Sequence, residues 1–383
     1  MNPTHSTGFD QQPRTRIVFG ADAIERVGEL AREFGVRRVL MVTDRGIVAA
    51  GHASRAVGFL EAAGLQVVVF DEVRENPTTV DVDRCVEVAK REAVELIVGL
   101  GGGSSMDTAK GANFILTNGG RMQDYWGVGK ATQPMLPLIA IPTTAGTGSE
   151  CQSFALISDE ETHQKMACGD PKAAAKIAIL DPLLTVSQPP RVTACTGIDA
   201  LSHAFETAVT KKRNPLSAMY SREAFRLCFG AIERVLDDPR DIEARSRMQL
   251  GAAFAGTAIE NSMLGAAHSA ANPLTAHYGI VHGQAVGLML PAVIAFNARD
   301  SEAHNHYLEL AMIAGLATID DLIGELDTIL DAARMREGIA KLGIDRTEFP
   351  KLAAEAAQQW TAGFNPRKIE AQDFEELYAE VLG

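Results

Sequence analysis

Short apolar runs alternate with amphipathic segments through the first half of the chain. Arg16 to Phe19 reads as an edge strand, and Ala21 to Phe34 as a helix closed by Gly35. RVLMVTD (38–44), LQVVVFDEV (65–73) and ELIVGLG (95–101) read as strands, with helices over about 52–63 and 80–93 between them. Another helix opens near Ser104, and PLIAIPTT (137–144) and KIAIL (176–180) add strands. Strand, helix, strand at this spacing predicts βαβ units and a mainly parallel sheet. FALIS (154–158) suits a small antiparallel addition. After Asp181-Pro182 and Pro189-Pro190 the apolar period turns helical to the end, as in 215–235, 242–259, 322–342 and 374–382. The boundary therefore falls near 182–190, dividing an α/β half (1–187) from an all-α half (188–383).

Composition narrows the function classes. At 383 residues the chain can fill two cores. With 46% hydrophobic and 22% charged residues it is expected to fold throughout, with only the first dozen residues loosely held. A net charge of −13 argues against a nucleic-acid partner, whose phosphates need Lys and Arg. Five scattered cysteines (Cys85, Cys151, Cys168, Cys195, Cys228) form no CxxC pair and read as reduced thiols of a cytoplasmic protein. No apolar run reaches the ~18–20 residues needed to cross a membrane. The N-terminus has no apolar core of a secretory signal.

Two loops carry nucleotide-type signals. Gly99-Leu-Gly-Gly-Gly-Ser-Ser-Met-Asp107 follows a strand and opens a helix. Glycines admit a phosphate close to backbone N–H groups, and the helix start adds unpaired donors. Ser104 or Ser105 can cap that helix, with Asp107 placed as the acid of a capping box. The run is neither a Walker A loop nor a strict GxGxxG, and a ligand-free glycine turn fits it as well. Asp44 ends an earlier strand, where an acid can accept ribose hydroxyls and repel a 2′-phosphate; a plain turn cap also fits. Together these favour NAD over NADP. Pro142-Thr-Thr-Ala-Gly-Thr-Gly-Ser-Glu150 is a second loop, dense in hydroxyls and glycines, directly after a strand.

Asp199 and His203 lie four apart in TGIDALSHAFET, which stacks them on one helix face. They can share a cation or form a simple solvent-facing pair. His268 and His282 would stand roughly 21 Å apart on an unbroken helix, too far for one metal. Pro273 is expected to disturb the helix and Gly279 to close it, leaving His282 on a connecting turn free to fold back. Such a mixed N/O set suits Fe(II) or Zn(II) better than Mg or Ca. Cys195 reads as a small buried residue. Phe254 fits a substrate pocket or plain core packing.

At GGGSSMDTAK (101–110), PTTAGTGSE (142–150), KIAILDP (176–182), GIDALSHAFE (197–206) and GAAHSAANPLTAHYGIVHG (265–283) the sequence resembles the iron-containing alcohol dehydrogenase family. These pieces run through about three quarters of the chain in the family's order. The resemblance implies a dehydroquinate-synthase-like fold: an N-terminal dinucleotide-binding α/β domain, a helical C-terminal domain, and an active site in the cleft between. It implies Asp199, His203, His268 and His282 as metal ligands, with Fe(II) as the ion and Zn(II) as the alternative. Gly101, Gly102, Gly103, Ser104 and Ser105 match the pyrophosphate loop, and Thr143, Thr144 and Thr147 the second nucleotide loop. Asp44 matches an acid beside the adenosine ribose, and Lys165 resembles a lysine near the nicotinamide ribose. Small alcohols or aldehydes as substrates, NAD as cofactor and a homodimer or higher homo-oligomer follow from the same resemblance.

One position departs. Family members often carry a histidine four residues after the third ligand, a candidate for relaying the alcohol proton, and here that position is Asn272. Water, the ribose hydroxyl or a moved His277 are the remaining routes. Rival activities on this fold are a carbon–oxygen lyase related to dehydroquinate synthase and a maleylacetate-reductase-like enzyme. The lyase needs a basic cluster that the helical half lacks, and the complete Asp/His set speaks against the reductase.

Overall fold

The computed structural model describes residue 9 and residues 12–162 and 164–383. The expectation for the first dozen residues therefore lies, apart from Phe9 and Gln12, outside the described ones. The described chain falls into two compact units, one within 11–188 and one made of 189–383 with Phe9.

The first unit is built on nine strands: β1 (Arg16–Phe19), β2 (Arg38–Val42), β3 (Gln66–Phe70), β4 (Leu96–Gly101), β5 (Gly127–Val128), β6 (Leu138–Pro142), β7 (Phe154–Ser158), β8 (Lys165–Gly169) and β9 (Ile177–Leu180). Six of them form one parallel sheet in the order β1-β9-β6-β4-β2-β3. β4 is apolar and buried along its whole length, as a strand covered on both faces must be. β1 keeps one buried residue, Val18, in keeping with its edge position. The segment FALIS pairs antiparallel with β8 in a separate three-stranded sheet, as its sequence suggested.

The helices of this unit are α1 (Val27–Arg32), α2 (Arg45–Ala49), α3 (His52–Ala62), α4 (Thr79–Arg91) and α5 (Gly103–Asn118). Leu30, Ala56 and Leu60 close one face of the sheet over Val39 and Met41. Val82, Val86, Met106 and Ala109 close the other over Leu40 and Ala140. The result is a three-layer α/β/α unit whose chain runs from β2 outward to β3 and then back across to β4. That reversal of strand order opens a crevice between the carboxyl ends of β2 and β4, the usual ligand position in such sheets.

The second unit is helical: α6 (Pro190–Thr207), α7 (Pro215–Phe229), α8 (Ile232–Asp237), α9 (Ile242–Asn261), α10 (Ala266–Tyr278), α11 (His282–Asn297), α12 (Ser301–Ile313), α13 (Ile319–Ala332), α14 (Phe349–Gln358) and α15 (Ala371–Leu382). From Gly197 onward α6 is buried on every side, including Ile198, Leu201 and Phe205, so it runs through the middle of its unit. Three expectations need correction. The segment 215–235 is not one helix: α7 stops at Phe229, and after Gly230 and Ala231 a separate α8 begins at Ile232. The segment 322–342 is not one helix: α13 stops at Ala332, and Arg334 turns with φ +56°. Pro273 does not disturb α10, which continues to Tyr278 and ends at Gly279 with φ +64°. Proline's fixed φ is helical, so only one backbone bond is lost, and the buried ring is held by the surrounding helices.

Candidate active site

The parallel sheet gathers the predicted nucleotide residues other than Lys165, which lies on β8 in the separate small sheet. β6, β4 and β2 are neighbours, so the segments leaving their carboxyl ends lie side by side. These segments are the threonine loop, the glycine loop and Asp44. Gly101 has φ +148°, a conformation that side chains disfavour, and a Cβ there would lie 3.4 Å from Asp44 Oδ2. Asp44 Oδ1 accepts from Ile47 N at 3.0 Å and so caps α2, leaving Oδ2 beside the glycine loop. The cap therefore uses one oxygen of Asp44 and leaves the other facing the glycine loop.

The two loops interlock. Thr143 N donates to Gly101 O at 2.9 Å. A Cβ on Gly103 would sit 2.8 Å from Thr147 Cγ2, and one on Gly102 3.4 Å from Thr144 Cγ2. Ser104 is half-buried, and Ser105 Oγ is buried without a hydrogen-bond partner, as is Thr43 Oγ1. Helix α5 has no side-chain cap, so its first-turn donors stay available to an anion. The capping-box expectation is corrected here: Asp107 instead accepts from Ser149 Oγ at 2.9 Å, on the buried side of the helix. Burial raises the Asp107 carboxyl's pKa, opposed by Lys110. Lys165 opens β8 on the surface, with its charge felt at Asp107.

Lys110 passed unused in the sequence reading. It is fully buried, and its Nζ donates to Ser149 O at 2.6 Å, Ser149 Oγ at 2.8 Å and Phe154 O at 3.0 Å. Ser149 N in turn donates to Thr147 Oγ1 at 3.3 Å. The signal was the Asp-x2-Lys spacing, which stacks Asp107 and Lys110 on one face of α5.

In the helical unit the expected ligands converge on one atom. Asp199 Oδ1 lies 3.4 Å from His203 Nε2, 3.5 Å from His268 Nε2 and 3.9 Å from His282 Nε2. The His203 and His268 rings stack with centroids 4.9 Å apart. Donor atoms of Asp199, His268 and His282 all lie within 4.8 Å of one another. Asp199 and His203 share a face of α6, His268 sits in the first turn of α10, and His282 is the first residue of α11. His282 thus opens a helix rather than sitting on a turn, but the chain reversal at Gly279 brings it back as required. A Cβ on Gly283 would collide with the Cys195 carbonyl oxygen and approach Asp199 Cβ to 3.3 Å, so glycine there lets α11 reach α6.

The donor set fits a small cation. Asp199 Oδ1 and His268 Nε2 are buried without a hydrogen-bond partner, a costly arrangement unless something else satisfies them. Bonds of about 2.1 Å to one tetrahedral ion put neighbouring donors roughly 3.4 Å apart, close to the spacings from Asp199 Oδ1, while the tight group of mutually close donors is Asp199, His268 and His282, with His203 set wider. Burial would raise the Asp199 pKa, but His203, His268 and His282 outweigh it and keep the carboxyl ionised far below its ordinary range. Three donors are buried; His282 is 31% exposed and marks the open side.

His277 is not brought to this cluster. It lies nine residues along α10 from His268, half a turn round the helix, and its Nε2 bonds Glu355 Oε2 at 2.7 Å. Asn272 Nδ2 donates to Gln359 Oε1 at 3.0 Å. Phe254 packs on Tyr220, with ring centroids 5.6 Å apart. Cys195 is buried, as expected. The sequence reading also missed Glu206, seven residues after Asp199 on the same face of α6, whose Oε2 stands 2.5 Å from His268 Nδ1.

Residues 13–182 match the family profile of iron-containing alcohol dehydrogenases, and residues 193–382 match the C-terminal profile of the same Fe-containing family. The chain belongs to the iron-containing alcohol dehydrogenase family. It is 34% identical to the NAD-dependent methanol dehydrogenase of Bacillus methanolicus, over 95% of this chain and 97% of that one. The solved structure of a 1,3-propanediol oxidoreductase superposes with a TM-score of 0.93 at 31% identity, covering 98% of this chain and 100% of that one. A sulfoacetaldehyde reductase from Bifidobacterium kashiwanohense, solved in complex with NAD+, superposes with a TM-score of 0.90 at 28% identity, over 98% and 99% of the two chains. The chain is accordingly an oxidoreductase of this family. No helix among the described residues is long and apolar enough to cross a membrane.

Proposed function

We propose that this chain is a metal-dependent, NAD-using dehydrogenase that interconverts a small primary alcohol or diol with its aldehyde. The observation that carries the reading is the convergence of three histidines on Asp199 Oδ1. Asp199, His203, His268 and His282 hold the ion, Fe(II) first and Zn(II) as the alternative. A bound divalent cation supplies Lewis-acid polarisation of an alcohol or carbonyl oxygen. In the α/β domain (1–187) Gly101, Gly102, Gly103, Ser104 and Ser105 receive the pyrophosphate, with Thr143, Thr144 and Thr147 beside it. Asp44 accepts the adenosine ribose hydroxyls and disfavours NADP, and Lys165 serves the nicotinamide ribose. The helical domain (188–383) carries the metal.

NAD held in the α/β domain would supply the hydride acceptor: the carbinol carbon would give up hydride, the hydroxyl proton would pass to solvent, and aldehyde, NADH and a proton would result. Asn272 can orient a substrate oxygen by hydrogen bonding but neither takes up nor releases a proton at neutral pH. Five free, buried thiols fit a reducing cytoplasm, and we take the working form to be a homodimer or larger homo-oligomer.

The test is NADH formation at 340 nm with a panel of short alcohols, with and without a chelator, on anaerobically prepared protein of measured metal content. Activity that disappears with chelator and in His268→Ala is expected. Metal binding and alcohol-dependent NADH formation that both survive in His268→Ala overturn the reading.

A further inference from the structure

Helix α10 begins without a cap of its own. Gly265 precedes it and offers no side chain. The first-turn donors are met from elsewhere: Ala266 N donates to Asn365 Oδ1 at 3.3 Å and Ala267 N to Glu206 Oε1 at 2.7 Å. A Cβ on Gly265 would stand 3.0 Å from Asn365 Oδ1 and 3.1 Å from Glu206 Oε1, so these groups press directly on the helix start. Asn365 is tied in turn to Asn297 by bonds of 3.0 and 2.7 Å. Glu206 is buried, and its second oxygen meets His268 Nδ1 at 2.5 Å.

An ionised carboxylate only accepts hydrogen bonds. Glu206 therefore requires the hydrogen of His268 on Nδ1. In the neutral ring the lone pair is then left on Nε2, the nitrogen that faces Asp199 Oδ1 at 3.5 Å. Two acceptor atoms held face to face in a buried site repel unless a proton or a metal cation stands between them. The same carboxylate also fixes the position of the turn that bears His268.

We propose that Glu206 is a positioning residue for the metal centre: it selects the His268 tautomer and anchors the first turn of α10, so that Nε2 is delivered ready to bind a cation. This rests on the metal reading given above. Glu206 acts through His268 and does not touch the ion.

Glu206→Gln separates the proposal from a packing role. Glutamine has the same shape but one oxygen and one NH2. If its oxygen stays on Ala267 N–H, its NH2 meets Nδ1 and forces the histidine hydrogen onto Nε2. If it is reversed, the NH2 faces the Ala267 N–H instead. Asn365→Ala is the control, since it removes a cap of α10 without touching His268.

Metal is stripped from wild type, E206Q, N365A and His268→Ala, and zinc affinity is measured by chelator competition beside the melting temperature of each stripped protein. Outer-shell partners of ligating histidines are typically worth about 10–100-fold in metal affinity. That loss is expected in E206Q, with N365A keeping zinc affinity near wild type even where its melting temperature falls. Wild-type affinity in E206Q overturns the proposal, as does a loss in N365A matching that in E206Q. Absence of zinc binding by the wild type overturns the metal reading itself, and His268→Ala binding zinc like wild type does the same. In zinc-loaded wild type carrying 15N-histidine, an exchange-protected Nδ1–H on His268 is expected. A hydrogen-free Nδ1 there overturns the proposal whether or not any variant folds.

Discussion

Lys110 Nζ donates to both the carbonyl and the hydroxyl oxygen of Ser149, at 2.6 and 2.8 Å, in a fully buried position. Because Ser149 N bonds Thr147 Oγ1 and Thr147 lies against Gly103, one ammonium couples the threonine loop to the glycine loop. Lys110→Met would leave these acceptors, and Asp107 behind them, buried without their cation. Removing one partner of a buried charged cluster costs about 3–5 kcal/mol. The melting temperature should fall and the NADH dissociation constant should rise by about tenfold, with metal content unchanged. Calorimetry and NADH fluorescence titration check this; unaltered NADH binding would show that the loops hold without Lys110.

Asp44→Asn keeps the oxygen that caps α2 through Ile47 N and removes only the charge. Stability should change little. Relief of repulsion worth about 1.4 kcal/mol corresponds to tenfold in selectivity, so the ratio of kcat/KM for NADP over NAD should rise by about that factor. An unchanged ratio would assign Asp44 to the cap alone.

Gly283→Ala sets a methyl group against the backbone oxygen of Cys195 at the α6–α11 contact. Overpacking of this kind costs roughly 1–3 kcal/mol. Since His282 is the neighbouring residue, zinc or iron content should fall with stability. Shrinking the Cys195 side chain should not rescue it, because the clash is with main chain. A double variant with Cys195→Ala, measured for melting temperature and metal content, decides the point.

Burial pushes the Glu150 carboxyl up to about 7, against a partial opposing pull from Lys110. Below the unfolded value near 4.5 both states hold the proton and nothing is lost. Between there and about 7 the folded state holds a proton that the unfolded state releases, so stability declines as pH rises, and above 7 the decline is complete. The full effect is about 3 kcal/mol at 1.36 kcal/mol per pH unit. Glu150→Gln removes it: its melting temperature relative to wild type should be higher at pH 8 than at pH 5. A difference independent of pH would mean that Glu150 titrates normally.

Periodicity made most elements legible, because each strand and helix must show its apolar side to a core. β1, the strand ELIVGLG and the helix after Ser104 stand where the pattern put them. The run 322–342 misled, because the apolar period continues past a turn that only backbone geometry at Arg334 reveals. Pro273 misled for the opposite reason: a helix breaker in isolation is tolerated when packing holds the helix on both sides of it.

What the sequence determined on its own was local: which segments are strands or helices, which residue types are present, and that Asp199 and His203 share one helix face. What it could not decide was which oxygen of Asp44 stays free beside Gly101, that Lys110 points inward to Ser149, that His277 turns away to Glu355, and that Glu206 reaches back to His268. Each of these joins atoms that are distant along the chain, by up to 78 residues for His277 and Glu355. Spacing constrains neighbours on one helix or strand; strand order, helix crossing and chain reversal set which distant groups meet, and those follow only from burying all the apolar faces at once.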